Sequence, residues 1–275
     1  MATKLDISEL DFDLIKNNLK QFLGQQTEFQ DYDFEGSGMS VLLDMLAYNT
    51  HYLSYNTNIV ANEMFLDSAD LRESVVSLAK SVGYTPTSAT CSTATIDVVV
   101  NNATGSTLTM SRGTKFTSTV NSQSYTFLNN SDVTVSPVDG IYKFSNLDVK
   151  EGTLLRFNYT ANSADTDQRF IIPNQNVDTT TLTVQVQNSS SDSTTNTYTL
   201  ANGITEITST SKVFFLQEVE DEKFEVYFGD GVLGKAIEDG NIVILNYIVC
   251  NRDAPNGANT FTLSGNIGGF TNTTI

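Results

Sequence analysis

The sequence predicts an α+β protein in which an N-terminal helical segment is followed by antiparallel all-β, sandwich-like domains. Three observations carry this. Apolar residues recur at helical spacing as far as Pro86. After Ala89 the helix formers give way to Thr, Ser, Asn and Val in short alternating runs. Finally, Phe224 to Gly234, FEVYFGDGVLG, runs an apolar strand into a glycine-studded acidic loop, and a second strand, Asn241 to Cys250, follows the Glu238-Asp239-Gly240 turn. The expected division is a helical segment over 1–88, a first β-rich domain over 89–160 and a second β domain over 161–275.

In chain order, Ser8 with Asp11 three residues on is an Asp-bearing relative of the capping box, and Phe12, Ile15, Leu19, Phe22 and Leu23 then recur at helical spacing up to Gly24. Residues 25 to 37 form a polar, acidic connector carrying Phe29, Tyr32 and Phe34. Ser37 is placed to cap the next helix, where Met39, Leu42, Leu43, Leu46 and Leu53 make an apolar stripe that Tyr48, Tyr52 and Tyr55 widen. A third helix is expected from about Ser68 to Gly83, with Leu71, Val75, Leu78 and Val82 on one face. Helices with such wide apolar faces must bury them, either against one another or in a bundle with other chains. The stripe Leu71, Val75, Leu78 and Val82 is the candidate partner-helix interface.

Strands are expected at 95–100, 114–119, 124–128, 131–135, 142–144 and 153–159, with Asp139-Gly140 as a hairpin turn. The polar run 161–168 is a plausible boundary, and 188–196 reads as a polar hairpin tip. Val213 to Gln217, Phe224 to Phe228 and Asn241 to Cys250 are the most hydrophobic strands and should lie inside a sheet.

Gly229, Gly231 and Gly234 formally match G-x-G-x-x-G, the dinucleotide-binding pattern. That chemistry requires the third glycine to open a helix whose amides hold a pyrophosphate. Only Lys235, Ala236 and Ile237 separate Gly234 from the next turn and a β-branched strand. Gly229, Asp230, Gly231 and Gly234 therefore read as a structural turn.

Composition bounds the function further. A chain of 275 residues with 39% hydrophobic residues can bury a real core, and a net charge of -17 spread along it disfavours nucleic acid and anionic membrane as partners. Residues 1–10 lack a basic start and an apolar run, so no signal peptide is visible, and synthesis in a cytoplasm is expected. Cys91 and Cys250, far apart in sequence, read as reduced packed thiols and not as a disulfide framework or zinc site.

No cofactor, metal or catalytic residue is expected. His51 is the one histidine, in a helix beside Tyr48 and Tyr52. There is no G-x-S-x-G elbow. The acidic run Glu218, Glu220, Asp221, Glu222 and Glu225 reads as a solvated tip. A glycosidase would hold two carboxylates apart in a groove, normally among aromatic platforms, and the chain has no tryptophan; the calcium-loop pattern is absent.

FGDGVLGK, followed by the hydrophobic strand and by Asn256 to Phe261, resembles the phage baseplate J-like family, and within it the wedge proteins of T-even-type contractile tails. Tyr55 to Pro86 and Gln168 to Gln187 are similar to the same group. The resemblance implies a virion subunit, assembled in the host cytoplasm, that lies in the baseplate inner ring, links wedges around the hub and rearranges on contraction. It implies other wedge proteins and a second copy of the chain as partners. It also implies bundle helices in Tyr55 to Pro86, a J-like β domain over 161–275, and no catalytic residue. Members of this group look considerably longer, so the part implied to mediate dimerisation lies outside these residues. The alternative is a β-rich fibre or adhesin binding host glycans, suggested by the Thr/Ser/Asn-rich strands and the 188–196 loop.

Overall fold

A computed structural model describes residues 11–27, 33, 36–165, 167–201, 203 and 206–275. Ser8 and the aromatics Phe29, Tyr32 and Phe34 lie outside the described residues. The chain forms two compact units, Met1–Pro86 and Thr87–Ile275, and its class is α+β.

In the helical unit, α1 spans Phe12–Gly24, α2 Gly38–Glu63 and α3 Arg72–Ser81. Asp11 is the N-cap of α1, its Oδ1 accepting from the amides of Asp13 and Leu14 at 2.8 and 3.1 Å. Ser37 caps α2 as expected, accepting from the Ser40 amide at 3.0 Å. With 26 residues α2 is about 39 Å long, roughly twice the length of an average helix. α3 begins four residues later than the apolar pattern predicts. The Glu63 carboxylate, at the end of α2, accepts from the amides of Asp70 and Leu71 and so holds residues 64–71 out of the helix. Hydrogen bonding from the Ser74 side chain and the Asp70 amide keeps the Glu63 carboxyl below the usual carboxylate range. α3 stops at Gly83 as expected: the amides of Gly83 and Tyr84 return to the carbonyls of Lys80 and Ala79.

Among the described residues the second unit holds fifteen strands. They are β1 (Thr93–Val100), β2 (Leu108–Met110), β3 (Lys115–Val120), β4 (Gln123–Asn129), β5 (Val133–Val135), β6 (Tyr142–Glu151), β7 (Thr153–Thr160), β8 (Phe170–Ile171), β9 (Val177–Gln187), β10 (Thr195–Leu200), β11 (Val213–Glu218), β12 (Phe224–Phe228), β13 (Ile242–Val249), β14 (Thr262–Ser264) and β15 (Thr273–Thr274). One sheet runs β14-β3-β4-β6-β1-β15, a second runs β7-β13-β9-β10-β11-β12-β8, and β2 pairs with β5. Pairing is antiparallel except between β10 and β11, which are parallel. The three hydrophobic strands β11, β12 and β13 each have a neighbour on both sides, as their composition predicts. Asp139 and Gly140, both at positive φ, make the expected turn, closed by the Val138–Ile141 bridge.

Each sheet has its own core. Val98, Phe116, Phe127, Phe144, Val149 and Ile267 centre the first; Ile172, Val184, Val226, Leu245 and Tyr247 centre the second. The sheets divide the chain elsewhere than at residue 160. The backbone passes from β6 in the first sheet to β7 in the second through Gly152 alone, at φ 138°, where an added Cβ would overlap the Val249 carbonyl. After β13 the chain returns, so that β14 and β15 complete the first sheet.

A polar layer joins the sheets. Asp178 of β9 is wholly buried and accepts from Lys150 Nζ at 2.9 Å, the Cys91 amide at 3.1 Å, and the Thr180 amide and hydroxyl at 2.9 and 2.6 Å. Burial alone would raise the Asp178 pKa, but the bonds from Thr180, Lys150 and Cys91 outweigh it and hold the carboxyl below its ordinary range. Buried Glu151 accepts from the amide and side chain of Asn251 at 2.9 and 2.7 Å. Arg112 donates to the Thr183 hydroxyl and the Thr181 carbonyl at 2.6 and 2.7 Å.

Candidate functional site

The turn predicted at Gly229 to Gly234 forms, and its geometry is that of a backbone-knit loop. Asp230 Oδ1 accepts from the amides of Val232 and Leu233 at 2.9 and 3.0 Å, and the Gly231 amide donates to the Gly234 carbonyl at 3.0 Å. Those two amides, Leu233 first, hold the Asp230 carboxyl below its usual range. Gly231 and Gly234 have φ of 87° and 89°, and a Cβ at Gly229 would overlap the Leu233 and Gly234 carbonyls. The loop is tied to the preceding segment by Gly234 and Lys235 amides donating to Thr208 and Ser211 carbonyls at 3.1 and 2.8 Å. No helix follows it, so it presents no helical N-terminus for a phosphate. What it presents instead is apolar: Val232 and Leu233 are exposed at the tip.

The acidic run separates into two groups. Glu218 and Glu225 are buried in β11 and β12, and Glu225 is held by a two-pronged contact from Arg169, 3.1 and 2.9 Å, and by Gln217 at 2.8 Å. These two are not part of a solvated tip: Glu218, opposite Phe224, lies on the core face of the sheet, whereas Glu225 lies on the other face, where Arg169 and Gln217 compensate its burial. Glu220, Asp221 and Glu222 do form an exposed turn, with Asp221 and Glu222 at positive φ and Arg252 on Glu222 at 3.0 Å. Among the described residues no group of three or more His, Cys, Asp or Glu side chains could hold a metal ion. A shallow recess of about 260 Å³ lined by Tyr159, Arg169, Ile171, Val219 and Lys223 adjoins this turn. Both of its cations are already committed, Arg169 to Glu225 and Lys223 to Asp221.

The helical unit carries the larger anomaly. On α3, Leu71 and Val82 of the predicted stripe are exposed and flank the helix as its two caps, while Val75 and Leu78 are half-buried; the buried face is Val76 and Ala79. The four lie on one side, mostly open.

α2 has its polarity reversed. Its covered side is lined by Ser40, Leu43, Asp44, Ala47, His51, Ser54 and Asn58, largely small or polar residues. α1 packs on α2, with Ile15, Leu43 and Ala47 buried and Lys16 paired to Asp44. The bulky residues face outward in two rows. Val41, Met45, Tyr48, Tyr52, Tyr55 and Ile59, spaced alternately four and three apart, are each 40% to 65% exposed. A second row, Leu42, Leu46, Asn49, Leu53, Asn56 and Val60, has the same spacing and is also exposed. At 100° per residue the rows lie about 100° apart, and alternation of four and three is the repeat that fits knobs into holes of a neighbouring helix. Leu53, Asn56, Thr57, Val60, Ala61 and Met64 line a shallow groove of about 380 Å³ on this side. Tyr48 and Tyr52 stack on each other, ring centroids 6.3 Å apart, which fixes two large apolar bodies on the open surface. Sequence reasoning saw these residues but not which side of the helix they occupy. The signal that would have found them is the placement of Ser40, Asp44, Ala47, Ser54 and Asn58 on the remaining third of the helix.

Residues 11–84, which contain α1, α2 and α3, match a family model described as baseplate wedge protein gp6-like, helical domain. Residues 156–256, from within β7 to beyond β13, match one described as bacteriophage baseplate wedge protein gp6, third domain. The chain is also similar to the baseplate wedge protein gp6 of Enterobacteria phage T4, 30% identical over 276 residues, covering 94% of this chain and 41% of that protein. It thus spans about two-fifths of the length of that relative.

Proposed function

Because the chain belongs to the gp6-like baseplate wedge proteins of phages, we propose that it is a structural subunit of the baseplate wedge of a contractile-tailed phage, where it helps form the inner ring that links wedges around the hub and rearranges on tail contraction. The observation that carries this reading is the reversed polarity of α2. A helix whose bulky residues face solvent in two rows, with α1 on the third side, is completed by helices of other chains, one on each row. Burying each apolar side chain of these rows contributes up to about 1.5–3 kcal/mol. Partners of this kind are other wedge proteins and a second copy of this chain. The stripe Leu71, Val75, Leu78 and Val82, on the segment that resembles the bundle helices, offers a further contact of the same kind.

The role is mechanical and involves no chemical step. The two β cores, joined by the Lys150–Asp178 ion pair and by hydrogen bonds, give a rigid β-rich body of the sort a ring subunit needs, and the turn at Gly229, Asp230, Gly231 and Gly234 holds an apolar tip on it. Assembly in the host cytoplasm precedes its place in the virion.

Immunogold labelling of purified particles with an antibody to this chain, before and after contraction, tests the reading. Gold at the tail tip in a ring that widens on contraction is the expected result. Gold on peripheral fibres would favour the glycan-binding adhesin, and particles without gold would sink both.

A further inference from the structure

The two cysteines, 159 positions apart in sequence, meet in the fold. Cys250 follows β13, and its amide donates to the Asn176 carbonyl at 3.1 Å. Cys91 lies in the irregular segment that leads into β1, and its amide donates to Asp178 at 3.1 Å. Asn176 and Asp178 are two residues apart at the start of β9, and Ile248 of β13 faces Asp178 in register. One residue on, Ser92 Oγ donates to the Arg252 carbonyl at 2.7 Å, so the two backbones run side by side. Both side chains are buried, and with Leu128 and Ile248 they make one small cluster between the sheets.

We propose that Cys91 and Cys250 are a latent disulfide pair, which a small-molecule disulfide such as oxidised glutathione converts into one intramolecular bond fastening the 87–92 segment to the end of β13. In the closed fold the Cys91 thiol is pushed well up, by burial first and by Asp178 and Cys250 next. It therefore stays protonated and slow to react. The cover is thin. Thr90 and Thr93 are exposed, and the segment is held chiefly by Ser88 to Thr179 at 2.9 Å, by the Cys91 amide and by the Ser92 carbonyl, which accepts from the Glu151 amide at 2.9 Å. Opening those bonds frees Cys91 from Asp178 and lets it lose its proton.

The thiolate then attacks the small disulfide, releasing one thiolate and leaving a mixed disulfide on Cys91. On reclosing, Cys250 loses its proton and attacks the Cys91 sulfur, expelling the second thiolate. The two protons end on the two released thiols. The protein loses two protons and two electrons, and the small disulfide is reduced to two thiols.

The test exposes the full chain in its native state to oxidised glutathione, then reads intact mass under denaturing, non-reducing conditions and maps linked peptides. Expected are the loss of two hydrogens, no adduct, a linked pair containing Cys91 and Cys250, and a Tm raised by roughly 5–15 °C that dithiothreitol reverses. In the Cys250→Ser variant, Cys91 is expected to keep its glutathione. Stable adducts on the unaltered chain, chain-to-chain disulfides, or two thiols still free would each overturn the proposal.

Discussion

Replacing Tyr52 and Leu53 together by glutamate is expected to exclude the chain from baseplate-containing particles while leaving both compact units folded. One residue lies on each outward row of α2, and both are more than half exposed in the isolated chain. Their loss takes from the unit's own packing chiefly the exposed Tyr48–Tyr52 stack, and exposed helical positions accept glutamate at a cost within about 0.5 kcal/mol. In an assembled bundle the same two positions would be desolvated. Losing two buried side chains removes about 3–6 kcal/mol of association, a factor of roughly 10² to 10⁴, before the cost of burying two carboxylates is counted. The measurement is sedimentation of lysates from infected cells producing the variant, with the chain tracked by immunoblot, alongside circular dichroism of the purified variant. A normal share of the chain in the particle fraction would show that these rows are not an interface.

The second large effect is expected at Asp178. Asp178→Ala removes the acceptor of four hydrogen bonds at once and leaves the Cys91 and Thr180 amides without it inside the protein. Lys150 retains some access to water, so the loss should fall at the lower end of the range for breaking a buried pair, about 3 kcal/mol, or a fall in Tm of roughly 6–12 °C for a unit of this size. The pH dependence has a definite sign. The carboxyl is held below its unfolded value, so its contribution is complete above about pH 4 and is lost as pH falls through the lower, folded value. The unaltered chain should thus lose this stability in acid, and the variant should show a flatter acid limb. Equal acid limbs in urea titrations of the two would contradict the assignment of Asp178 as the joint between the sheets.

Much of the fold was legible in the sequence because it is written locally. The spacing of Phe12, Ile15, Leu19 and Leu23 fixes α1, Ser37 marks the start of α2, Gly83 the end of α3, and Asp139-Gly140 a hairpin. The FGDGVLG stretch was read as a turn because no helix could follow it, and the turn is what forms. What was not legible depends on distant partners. Alternation identifies β6 and β7 as strands but does not say that Gly152 carries the chain from one sheet to the other. Nor does it show that β14 and β15 return to the first sheet. Glu218 and Glu225 looked like a solvated acidic tip, and burial of Glu225 is tolerable because Arg169, 56 residues earlier, supplies its donors. Glu63 delays α3 through a contact that no apolar pattern records.

The candidate interface shows the same limit. The apolar residues of α2 and α3 were visible as stripes, and the sequence-based choice fell on Leu71, Val75, Leu78 and Val82. The larger open surface is on α2, because α1 packs on the side that carries Leu43, Asp44 and Ala47. Which face a helix buries is decided by its neighbour, and a stripe alone does not name the neighbour.

Hydroxyl-radical footprinting of the purified chain and of intact particles, read at Met45, Tyr48, Tyr52 and Tyr55, tests most directly whether other helices cover the outer side of α2. In the purified chain these four should oxidise readily. In particles their oxidation is expected to fall towards that of buried Tyr247. Equal oxidation in both would mean that α2 remains open in the baseplate, and the bundle would have to be abandoned.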